Sequence, residues 1–148
     1  MKKRIVGIIM CDKKILIVKR KKGDLDYYCL PGGTLEQGEN ILECLERELI
    51  EEISFDCKNF NKKHIITLNK KEINEESFYF YITANEEFLA IPDANSPEMQ
   101  RLSADTNYEF SPIWFPFKNL NSVTLFPVEI KNILVEKHPK DILEIINI

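Results

Sequence analysis

The chain has 148 residues, 44% of them hydrophobic and 30% charged, with a formal net charge of −4. That length carries one domain with a proper core and is too short for two comfortable ones, so a single domain over residues 1–148 is expected. The acidic balance argues against a broad nucleic-acid surface, so no stable DNA or RNA complex is expected, and no run approaches the roughly eighteen apolar residues of a membrane span.

The basic start Met1-Lys2-Lys3-Arg4 leads into Ile5 to Met10, an apolar run too short for a signal h-region. Arg4 to Cys11 and Lys14 to Arg20 read as strands joined at Asp12-Lys13. Gly23 to Asp26 reads as a turn, Tyr28 to Leu30 as a short strand, and Gly32-Gly33 as a glycine turn. A helix is predicted from about Asn40 to Ile53, with Ile41, Leu42, Leu45, Leu49 and Ile53 as its apolar stripe. His64 to Leu68 and Ser77 to Thr83 form a second strand pair across the polar loop Asn69 to Glu76. Asn85 to Tyr108 is the least regular stretch and reads as a long loop over the site. Phe110 to Phe117 supplies another strand, and Pro127 to Lys137 and Asp141 to Ile146 read as helices, the first packed through Val128, Ile130, Ile133, Leu134 and Val135. Strands in mixed order with a helix on each side predict an α/β fold, a three-layer α/β/α sandwich with a mixed β-sheet. Cys11, Cys29, Cys44 and Cys57 show no CxxC pair or zinc spacing, which points to free thiols in a reducing compartment and a cytoplasmic location.

The densest chemistry lies in Gly33 to Phe55, GTLEQGENILECLERELIEEISF. Glu48, Glu51 and Glu52 stand three and four apart on the helix, so their carboxylates project from neighbouring positions. Crowded like charges cost a few tenths of a kcal/mol per pair unless a cation neutralises them. Oxygen-only donors without nearby cysteine or histidine favour Mg²⁺, with Mn²⁺ as the alternative, over Zn²⁺. A solvated acidic helix face is the plain alternative. The paired glycines in Leu30-Pro31-Gly32-Gly33, just before the helix, allow a close backbone approach and favour the metal-site reading.

Gly33, Glu39, Arg47-Glu48, Leu49 and Glu51-Glu52 stand in the register of the Nudix box, and the segment resembles that of the MutT-like Nudix hydrolase family. The resemblance spans nearly the whole chain. It implies the Nudix fold and a metal-dependent hydrolase that cuts the diphosphate bond of a nucleoside diphosphate linked to another moiety, a small-molecule nucleotide-type substrate. The alternative is a catalytically silent Nudix domain that binds a nucleotide as a sensor or partner module. By resemblance, Glu48, Glu51 and Glu52 bind the cation, and Arg47 and Glu39 orient them and brace the loop. Gly32 and Gly33 shape the substrate side of the site, and Tyr28 and Glu36 match weaker positions there. Arg20, at a strand end, is a candidate phosphate contact. The general base in this family is either the glutamate matching Glu48 or one from outside the box, for which Glu98 and Glu109 are candidates. Relatives of this fold often form homodimers, so a homodimer is a state to test. One position departs from the pattern: Ser54 stands where the family has glycine. A serine there is expected to cost about 1 kcal/mol or to shift the helix cap.

Overall fold

The computed structural model describes residues 1–105 and 107–148. Its first strands, β1 (Lys2–Cys11) and β2 (Lys14–Lys22), form the expected hairpin, with Asp12 in the left-handed conformation that closes it. β3 (Leu25–Cys29) pairs back on β2. The expected turn over Gly23 to Asp26 is tighter than predicted, because left-handed Gly23 reverses the chain and Leu25 and Asp26 already lie in the ladder. β4 (Gly32–Thr34) occupies the place of the predicted glycine turn: Gly32 and Gly33 lie opposite Val6 and Ile5 of β1. β5 (Lys63–Lys70) and β6 (Glu75–Thr83) make the second antiparallel pair.

The helix after β4, α1 (Ile41–Ile53), starts on an Asn40 cap whose side chain accepts from the Glu43 N–H, while the Glu43 carboxylate accepts from the Asn40 N–H. Its buried stripe is Cys44, Leu45, Leu49 and Ile53; Leu42, expected in the stripe, is exposed because it falls to the side of the face that meets the sheet. Full burial of Leu45, Leu49 and Ile53 contributes about 5 to 9 kcal/mol gross, well above the few tenths per pair that glutamate crowding costs. Packing therefore carries the acidic face. The helix ends at Ser54 with φ 54° and ψ 36°, left-handed as a glycine would be, so the cap is not shifted. The Ser54 hydroxyl donates to the Ile91 carbonyl at 2.6 Å.

Between β6 and β7 (Phe110–Pro116) the stretch expected to be one irregular loop contains a helix, α2 (Pro97–Ala104). Ser96 caps it, accepting from the Met99 N–H, and Pro97 opens its first turn, a start signal that the surrounding polar residues obscured in the sequence. α3 (Val128–Glu136) follows β7 and buries Ile130 and Leu134, whereas Val128 and Val135 are exposed. The segment predicted as a final helix, Asp141 to Ile146, is instead the end of a 3-10 turn, Pro139–Asp141, and the strand β8 (Glu144–Asn147). The seven residues after that turn are too few for a stable helix, and the open edge of β5 satisfies the backbone of four of them by parallel pairing from Ile66↔Glu144 to Asn69↔Asn147.

The sheet runs β3-β2-β1-β6-β5-β8, with β4 also on β1 and β7 on β2. The β1–β6 and β5–β8 pairs are parallel and the others antiparallel, which makes the sheet mixed. Ile5 and Ile9 face α1 on one side, while Val6, Ile8 and Met10 pack with Ile130 and Leu134 of α3 on the other. The architecture is the α/β/α sandwich expected. The described cysteines are all free thiols, and no described helix is long and apolar enough to cross a membrane.

Candidate functional site

Because β4 is hydrogen-bonded to β1 and α1 packs on the same strand, the Gly32-Gly33 backbone lies directly against the acidic face of the helix. The Gly32 N–H donates to Glu52 Oε1 at 2.9 Å, and the Glu48 carboxylate lies in the space that a side chain at Gly33 would fill. Gly33 therefore makes room for Glu48 by having no Cβ.

Arg47 ties the loop to the helix. Its Nε and Nη2 donate to both carboxylate oxygens of Glu39, at 3.0 and 2.8 Å, and Nη2 also reaches the Thr34 carbonyl. Its Nη1 lies between Glu48 Oε1 at 2.9 Å and Glu51 Oε2 at 3.3 Å, with Glu36 at 3.6 Å. The Arg47 fork holds the Glu39 carboxyl down at about 2, well below its usual range. Burial has the opposite effect on the two other acids: it raises Glu48, against the pull of Arg47, and pushes Glu52 up to about 8.

The Glu52 shift has a measurable consequence. A carboxyl whose folded value lies above its unfolded one contributes stability that is fully present below the unfolded value and is lost as pH rises through the folded one. In chelator, the melting temperature should therefore fall as pH is raised from about 5 to about 8 and level off above that, and Glu52→Gln should flatten that slope, as followed by thermal denaturation. Glu39 titrates far below this window and does not contribute to it.

The cleft is lined by Arg20, Gly32, Gly33, Glu36, Arg47, Glu48, Glu51 and Glu52, joined from α2 by Glu98 and Arg101 and from β1 by Arg4; its volume is about 400 Å³. Glu98 is largely buried there, its side chain 12% exposed, and Arg101 lies 4.0 Å away. Arg4 and Arg101 were not singled out in the sequence, since neither lies in a motif; the strand pairing and α2 bring them in. Arg20 reaches the cleft but is engaged, donating to the Tyr108 hydroxyl at 2.9 Å and lying over the Tyr108 and Phe110 rings. Two expected site residues lie elsewhere. The Tyr28 ring packs against Phe115 in the core beneath α3, because strand alternation turns it to the opposite face from Cys29, and Glu109 accepts from the Ser111 hydroxyl at 2.7 Å outside the cleft lining.

Among the described residues, no three Asp, Glu, His or Cys side chains are gathered into a ready-made metal-binding group. The donor chemistry nevertheless suits a hard divalent cation: Glu48, Glu51, Glu52 and Glu98 bring carboxylate oxygens to one cleft. The guanidinium already bridging Glu48 and Glu51 marks where positive charge is favoured between them.

Fold and cleft together define a small mixed α/β domain with a carboxylate-lined site on one helix. The chain belongs to the NUDIX domain family, whose model matches residues 1–134. It is 36% identical over 81 residues to the 8-oxo-dGTP diphosphatase of Buchnera aphidicola subsp. Schizaphis graminum, covering 53% of this chain and 61% of that protein. It is 47% identical over 47 residues to the ADP-ribose pyrophosphatase of Methanocaldococcus jannaschii, covering 31% of this chain and 28% of that one. The matched part thus spans less than two thirds of either relative. Among solved structures, the MutT protein of Bacillus halodurans superposes with a TM-score of 0.63 at 20% identity, over 97% of this chain and 85% of that one, a likeness of fold.

Proposed function

We propose that the protein is a divalent-cation-dependent hydrolase that cuts the diphosphate bond of a nucleoside diphosphate linked to another moiety. The observation that carries this reading is the meeting of three α1 carboxylates with Glu98 of α2 in one cleft beside the Gly32-Gly33 backbone. Family membership and the activities of the two relatives, an 8-oxo-dGTP diphosphatase and an ADP-ribose pyrophosphatase, support the reaction class.

Glu48, Glu51 and Glu52 would hold Mg²⁺, or Mn²⁺ in its place. When bound, the cation neutralises diphosphate charge and lowers the pKa of a coordinated water. The remaining steps belong to the chain. Arg47 holds Glu48 and Glu51 in place through its fork on Glu39, and Gly32 fixes the Glu52 carboxyl by its N–H. Arg4 and Arg101 open on the cleft as donors for phosphate oxygens, and the burial of Glu52 and Glu98 limits access of bulk water. Glu98 is the proton acceptor for the attacking water: it stands in the cleft, outside the Arg47 network that engages Glu48, while Glu109 is bonded elsewhere.

The test is phosphate and nucleotide release from 8-oxo-dGTP, ADP-ribose, nucleotide sugars and dinucleoside polyphosphates, with and without Mg²⁺. Turnover of at least one, dependent on Mg²⁺, is expected. No turnover of any of them, with Mg²⁺ still raising the melting temperature, would replace the hydrolase with a silent binding domain.

A further inference from the structure

We infer that Ser54 is a positioning residue for Glu98: its hydroxyl, through the Ile91 carbonyl, sets where α2 begins and so where Glu98 stands in the cleft. The inference rests on the reading of Glu98 as proton acceptor.

α2 turns the largely buried Glu98 side chain into the cleft but contributes no residue to either hydrophobic core, so apolar packing along its length does little to fix its place. Its position is set by the segment leading into it. That segment is tied to the last turn of α1 at two points, by the Ser54 hydroxyl on Ile91 O at 2.6 Å and by the Asp93 N–H on Glu51 O at 2.8 Å. From Asp93 the ties continue to the helix: the Ser96 hydroxyl and N–H both donate to the Asp93 carbonyl, at 2.7 and 3.0 Å, and Ser96, 2% exposed, caps α2 at the Met99 N–H. Glu98 is two residues beyond that cap. A path of hydrogen bonds therefore runs from the Glu51 carbonyl through Asp93 and Ser96 to the first turn of α2, which carries Glu98, and the Ser54 bond holds the chain two residues ahead of that path, at Ile91.

Ser54 accepts a left-handed backbone that glycine takes without strain, so its hydroxyl is what a serine adds at this position. Upstream, the segment is held independently, by Phe88 stacked on Phe55 with ring centroids 4.5 Å apart and by the Trp114 indole N–H on the Phe88 carbonyl at 3.0 Å. Removing the hydroxyl thus loosens the approach to α2 without freeing the whole segment.

The test compares Ser54→Gly, Glu98→Gln and the double variant with the parent, by melting temperature, amide hydrogen exchange in α2, and kcat and KM with Mg²⁺ on ADP-ribose and 8-oxo-dGTP. Ser54→Gly should leave the melting temperature unchanged or raised, because glycine relaxes the left-handed cap. It should speed exchange of the α2 amides about tenfold, leave α1 protected, and lower kcat about tenfold at constant KM. Glu98→Gln should lower kcat about a hundredfold, and the double variant should lose no more than Glu98→Gln alone. Unchanged α2 exchange in Ser54→Gly overturns the inference whether or not either substrate turns over. So does kcat within about twofold of the parent, or a loss that adds in full to that of Glu98→Gln. A Glu98→Gln variant with parental kcat would instead remove Glu98 as the proton acceptor, and the inference with it.

Discussion

Glu51→Gln is expected to lower Mg²⁺-dependent kcat about a thousandfold while shifting the melting temperature by no more than about 2 °C. Of the three α1 carboxylates it is the cleanest probe of chemistry. The Glu52 carboxyl accepts the Gly32 N–H in a buried setting, and that of Glu48 fills the space beside Gly33, so replacing either disturbs packing as well as charge. Glu51 is 31% exposed at its side chain, and its described hydrogen bond there is to Arg47 Nη1 at 3.3 Å, long for a charge-assisted pair. Losing that contact costs little, and removing one charge from a crowded acidic face returns part of it. The cation site, by contrast, loses a ligand that a neutral amide replaces poorly. The Mg²⁺-induced rise in melting temperature should shrink together with kcat. Turnover within about tenfold of the parent would sink the assignment of Glu51 as a ligand.

Gly32→Ala is expected to destabilise the fold by about 4 kcal/mol, read as a lower urea midpoint at unchanged m-value. Its φ is +155°, and a Cβ there would collide with the Ile5 carbonyl oxygen and come within 2.7 Å of the Val6 Cα. Both are backbone atoms of the central strand, where Ile5 is fully buried and Val6 nearly so, and neither can move without breaking the β1–β4 and β1–β6 ladders. Its neighbour gives the contrast. At Gly33 the added Cβ meets the end of the Glu48 side chain, which can rotate away. Gly33→Ala should therefore keep most of the stability and lose about a hundredfold in turnover, since the displaced carboxylate is the one that the glycine makes room for. Equal stability loss in the two variants would contradict this division.

The parts of the site legible in the sequence were those fixed by short-range rules. The three-and-four spacing of Glu48, Glu51 and Glu52 puts them on one helix face whatever packs against it, and the apolar stripe places the start of that helix near Asn40, where the structure shows the Asn40–Glu43 cap. The buried stripe was read with one error at Leu42, because periodicity gives the direction of the apolar face and not its width. α2 is not legible in the sequence although Ser96-Pro97 is a start signal, since eight residues that add nothing to the hydrophobic cores leave no apolar period to detect. The short apolar run of β8 carries no period of its own, so the sequence alone does not separate strand from helix there; the free edge of β5 selects strand.

What the sequence by itself determined is the acidic helix, its cap and its apolar face, and with them membership in the family, since each depends on residues within a few positions of one another. The tertiary structure decided which side chains share the cleft with that helix. Pairing of β4 with β1 set the Gly32-Gly33 backbone against Glu48 and Glu52, the ties from α1 to the α2 segment brought in Glu98, and strand alternation sent Tyr28 to the opposite core. Those outcomes depend on contacts between residues far apart in the chain, whose partners are selected by the burial of whole faces and the satisfaction of backbone hydrogen bonds, and no local spacing encodes them.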